Sequence, residues 1–140
     1  MKIQTFANNF DVQSIGINLR SNLVYDFISN PENLPIWTNA FTNVNGTSAI
    51  MVTPMGELEI KLETVASKSL GTIDWIMTMP DGSVGNAFSR VSKNGVTAIY
   101  SFVLLAPPVP LEQLEGALSE QKLILADELK SLKQILEQNN

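Results

Sequence analysis

The sequence predicts an α+β fold in which a curved antiparallel sheet wraps around a long C-terminal helix, with two short helices after the first strand. Three observations carry that expectation. Turn signals at Gly46, Pro54-Met55-Gly56, Gly71, Pro80-Asp81-Gly82 and Asn94-Gly95 divide Phe41 to Leu105 into strand-length pieces, as an antiparallel meander requires. Leu111 to Gln138 carries Leu111, Leu114, Leu118, Leu125, Leu129, Leu132 and Leu136 three, four or seven apart, along one flank of a helix. Two short helical stripes stand between the meander and an alternating N-terminal stretch.

Val12, Ile15, Ile17 and Leu19 mark the first strand, with Gly16 and Asn18 interleaved. Ser21 is expected to cap the first helix, whose apolar stripe is Leu23, Val24, Phe27 and Ile28. In Asn30-Pro31-Glu32-Asn33 an Asn caps, a Pro takes the first helical position and a Glu meets the positive end of the dipole. Pro35 limits this second helix to a turn or two, ending near Trp37.

The meander is read as five or six strands. Ala49 to Thr53, Glu57 to Val65, Thr72 to Met79, Ser83 to Ser92 and Val96 to Leu105 are the segments resolved by pattern. The clearest is Glu57 to Val65, where Leu58, Ile60 and Leu62 alternate with Glu57, Glu59, Lys61 and Glu63, so one face is solvated. Asn94-Gly95 fits a type I′ hairpin turn, since both residues tolerate positive φ. Pro107-Pro108-Val109-Pro110 forms a stiff corner before the last helix, which at ~1.5 Å per residue would run roughly 40 Å. Glu112, Glu115 and Glu120 lie toward its start and Lys130 and Lys133 toward its end, complementing its dipole.

All of this reads as one domain, residues 1–140, with no repeat, linker or low-complexity tract. Hydrophobic residues make up 44% of it, enough for a core. A formal charge of −5, from 9 basic and 14 acidic residues, argues against nucleic acid as a partner. The absence of Cys and His removes disulfides, thiolate chemistry, the commonest general base and the commonest metal ligand. No metal and no cofactor is expected. Met1 to Phe10 lacks the apolar core of an export signal and no run approaches the ~18 residues that span a bilayer, so a cytoplasmic protein is expected.

The segment Leu23-Val24-Tyr25-Asp26-Phe27-Ile28-Ser29-Asn30-Pro31-Glu32-Asn33-Leu34-Pro35-Ile36-Trp37 resembles the first helical pair of the SRPBCC superfamily. This is the helix-grip group of START lipid-transfer domains, birch-pollen-allergen relatives and polyketide cyclases. Gly71-Thr72-Ile73-Asp74-Trp75, Asp81-Gly82, Arg90-Val91 and the closing amphipathic helix sit where that family has comparable features, so the similarity spans nearly the whole chain. The resemblance implies a cavity between sheet and C-terminal helix. It does not choose among activities.

Trp37 either caps the mouth of such a cavity or plugs the core beneath the helical pair. Ile73, Trp75, Met77 and Met79 share one strand parity, as do Ala98, Tyr100, Phe102 and Leu104; either row lines a pocket or builds an ordinary core. Leu118 and Leu125 complete the expected lining from the helix. Tyr100 is the best polar handle. Asn86 and Arg90 share parity with Val84 and Phe88, so Asn86 and Phe88 are also placed in the pocket, while Arg90 either holds a ligand carboxylate or stands in water. Asp74 has the opposite parity to Trp75 and belongs outside or at an edge.

Three functions compete. The first is binding of a small hydrophobic or amphipathic molecule, lipid-like or aromatic polyketide-like. The second is a cyclase/dehydratase-like enzyme using Tyr100 with Arg90 or Asp74, without His or Cys. The third is a non-catalytic interaction module working through its helix or its sheet edge, as a homodimer supported by apolar surface left over on the leucine helix or as a heteromer.

Overall fold

The computed structural model describes residues 10–53, 56–105 and 111–138, the last segment with side chains from 118 onward. β1 (Phe10–Ile17) leads into α1 (Ser21–Ser29), a 3-10 turn (Pro31–Asn33) and the single turn α2 (Leu34–Trp37). β2 (Phe41–Asn45), β3 (Ser48–Thr53), β4 (Gly56–Ser67), β5 (Thr72–Thr78), β6 (Val84–Asn94) and β7 (Thr97–Leu105) follow, and α3 (Leu111–Gln138) is the last element. The seven strands form one antiparallel sheet in the order β1-β7-β6-β5-β4-β3-β2. This is the predicted helix-grip layout, with six meander strands and β1 returning to pair with β7.

Alternation assigns the two faces of the sheet. Ile17, Ala98, Tyr100, Val91, Ile73, Trp75, Ile60 and Leu62 are buried, while their chain neighbours Gly16, Ile99, Arg90, Glu59 and Lys61 are exposed. The buried set and Leu125, Leu129, Leu132 and Leu136 of α3 share one core. Polar bonds fix the helix along β1: Lys133 Nζ donates to the Gly16 carbonyl (2.7 Å), Gln13 Nε2 to the Lys122 carbonyl (2.9 Å), and the Asn18 N–H to Glu137 Oε2 (2.7 Å). Leu118 is buried as expected; Leu111 and Leu114 lie outside the described side chains, and the 107–110 corner outside the described residues.

Local chemistry differs from expectation in three places. Ser21 occupies the first helical position; Arg20 stands at the cap and makes no side-chain cap bond. Asn30, in contrast, caps as read, its Oδ1 accepting from the Glu32 N–H at 3.1 Å. At the β6–β7 turn only Gly95 has positive φ (+65°), which excludes type I′ and fits a turn with glycine at its first central position. Lys133 does not serve the helix end: the last turn of α3 holds no basic residue, and this ammonium is spent on Gly16 and on Glu137 Oε2 at 2.7 Å.

Candidate ligand site

The inward positions of five strands build the centre of the concave face. Register places Tyr100 between Ile15 and Val91, and Phe102 between Gln13 and Ser89. Trp75 lies between Thr64 and Ala87, and Met77 between Leu62 and Gly85. The rings form a continuous row: Trp37 meets Tyr100 edge-on at 6.2 Å, Tyr100 meets Phe102 at 6.4 Å, and Phe102 stacks on Trp75 at 6.3 Å. Trp37 reaches this row because Pro31 and Pro35 confine the chain to two tight turns after α1, and α2 then packs against β2 and α3.

Along this row four buried side-chain atoms lack a hydrogen-bond partner: Trp37 Nε1, Thr64 Oγ1, Trp75 Nε1 and Tyr100 Oη. Buried polar groups are bonded in the great majority of cases, and each orphan costs about 1–3 kcal/mol. Four in one aromatic row are therefore a local concentration of unmet bonding. The Ser89 hydroxyl lies beside the phenol and donates to the Ile73 carbonyl at 2.6 Å, but it does not reach hydrogen-bond geometry with the Tyr100 oxygen. Burial raises the Tyr100 pKa well above the ordinary phenol value of 10.0; the adjacent Ser89 hydroxyl opposes this and the Glu128 carboxylate adds to it. The phenol is a neutral hydroxyl at physiological pH.

Glu128 is the buried acid of the site. Its Oε2 accepts the Asn39 N–H at 2.6 Å, and the Ala40 N–H also favours its charged form, so it ties α3 to the corner between α2 and β2. Desolvation dominates these bonds and raises its pKa above 4.5.

Enclosure changes along the concave face. Tyr100, Ile17 and Ala98 have 0–1% of their surface exposed, so that end is solidly packed and holds no open hollow. Met77, Met79, Ala87, Phe102 and Leu104 are only partly buried, which makes the opposite end accessible. Among the described residues a shallow depression of about 220 Å³ sits against Thr72, Asp74, Phe88, Arg90 and Val103 on the outer face, and one of about 500 Å³ lies over Ser48, Glu59, Lys61 and Thr78 and reaches Ile60 and Met79.

The structure brings Trp37, Trp75, Met77, Tyr100 and Phe102 onto one face, with Leu125 in the same core. Phe88 and Asn86 are corrected: they project from the outer face, Phe88 opposite Asp74 and Val103 with 40% of its surface exposed. The inward positions of β6 are Gly85, Ala87, Ser89 and Val91, and three are small because Met77, Trp75 and Phe102 fill the space across from them. Arg90 is exposed and Asp74 lies on its face, so neither of the acid–base partners expected for Tyr100 joins it. Thr64 and Glu128 were not singled out by pattern. Both carried a signal: Thr64 continues the inward parity of Ile60 and Leu62, and Glu128 interrupts the leucine stripe between Leu125 and Leu132.

No protein-family model matches the chain, and no curated protein matches it. Solved structures do. XoxI from Bacillus cereus aligns with a TM-score of 0.67 at 17% identity, over 91% of this chain and 94% of that one. A START superfamily protein from Mycobacterium smegmatis gives 0.62 at 12% identity, over 94% and 99%. Zhui aromatase/cyclase from a Streptomyces species gives 0.63 at 6% identity, over 91% and 93%. At these identities the likeness establishes architecture alone: the chain shares the helix-grip fold of these structures.

Proposed function

We propose that the concave face between the sheet and α3 binds a small hydrophobic or amphipathic molecule. The observation that carries this reading is the row of four unpartnered polar atoms set among Trp37, Tyr100, Phe102 and Trp75. A core selected for stability alone would hold Phe or Leu at such positions, since an orphaned polar atom only costs. A ligand oxygen that bonds them converts the cost into affinity. START and aromatase/cyclase proteins with this architecture support the same reading.

Entry is from the partly exposed end, past Met77, Met79 and Leu104. Methionine side chains re-pack readily, so they can yield to a ligand that goes on to displace the closed aromatic row. Native mass spectrometry of the purified full chain, with a thermal-shift screen of fatty acids, sterols and aromatic polyketides, tests the proposal. A retained small molecule, or a saturable rise in Tm, is expected. No retained species and no shift across the whole panel overturns it.

A further inference from the structure

We infer that the site selects an uncharged ligand presenting a hydrogen-bond-accepting oxygen, and disfavours a carboxylate. This rests on the ligand-binding reading above and narrows it to a chemical class. The first argument is the donor inventory. Trp37 Nε1 and Trp75 Nε1 can only donate, and Tyr100 Oη and Thr64 Oγ1 can donate as well. The unmet demand is for lone pairs, as on a ketone, quinone or ester oxygen.

The second argument is charge. Arg20, Arg90, Lys93 and Lys130 are exposed, and Lys61, Lys68 and Lys133 are paired with Glu63, Asp26 and Glu137. Lys122, the remaining described cation, stands on α3 where its carbonyl shares the Gln13 amide with the Asp11 carboxylate. The acid that acts on Tyr100 is Glu128, whose own charged form burial disfavours. A ligand carboxylate in the same apolar surroundings would be desolvated in the same way and would repel that acid's charged form.

Three probes of one shape separate these factors at pH 7: 2-acetylnaphthalene, 2-ethylnaphthalene and 2-naphthoate, each titrated calorimetrically into the full chain. The ketone is expected to bind about tenfold tighter than the ethyl compound, the worth of roughly one net hydrogen bond, and naphthoate weakest of all. Tyr100→Phe should narrow the ketone-to-ethyl ratio. Glu128→Gln keeps an oxygen acceptor for Asn39 and should narrow the ketone-to-naphthoate ratio. Naphthoate binding as tightly as the ketone, or equal affinities for ketone and ethyl compound, overturns the selectivity with the pocket intact. Failure of all three probes, in a chain that retains nothing and shifts with nothing in the wider screen, overturns the pocket and the selectivity together.

Discussion

Tyr100 shows how one atom separates stability from function. Its ring is needed where Trp37 and Phe102 pack on it, but its hydroxyl is buried and unbonded. Tyr100→Phe is therefore expected to stabilise the unliganded protein by about 1–2 kcal/mol, seen as a higher urea midpoint at unchanged m-value. Gly71 behaves in the opposite way. It sits at φ +78°, and a Cβ there would run into the Val91 carbonyl, while its own carbonyl accepts the Val91 N–H at 2.8 Å. Gly71→Ala combines left-handed strain with a backbone collision and should cost about 1–3 kcal/mol or more by the same measurement.

Among the elements, α3 is held by its leucine stripe. Leu132 has no exposed surface, so Leu132→Ala should destabilise by about 2–5 kcal/mol in thermal or urea unfolding. This stripe was legible because helical spacing survives in a bare sequence, and so was the alternation of β4, whose outward positions are charged. β6 was misread for a physical reason. Its buried row is small and partly polar, its exposed row contains Phe88 and Val84, and apolarity therefore points the wrong way. What decides the phase of β6 is the bulk of Trp75, Met77 and Phe102 on neighbouring strands, which no local pattern displays. The candidate site follows the same rule: its aromatic residues were visible as rows, but Glu128 needed the fold to bring α3 against Asn39.

At the scale of the whole molecule, two glutamates of α3 give stability opposing pH slopes. The folded pKa of Glu128 is raised above 4.5 by burial, so the native state holds its proton more tightly and stability falls as pH climbs from about 4.5 through that raised value. Glu137 is lowered by Lys133 and the Asn18 N–H, so its contribution is present above 4.5 and is lost as pH falls through its folded pKa. Glu128→Gln should remove the first slope, so that Tm measured as pH rises above 4.5 becomes flatter, while the acid-side loss from Glu137 remains.

The partnership of β1 with β7 has a kinetic consequence. Hairpins β2 through β7 can zip one after another as they leave the ribosome, but the opening strand must wait, unpaired, until Leu105 has been made and can lie opposite Phe10. Assembly thus hinges on a late closure between distant parts of the polypeptide, a non-local pairing of the kind that slows folding.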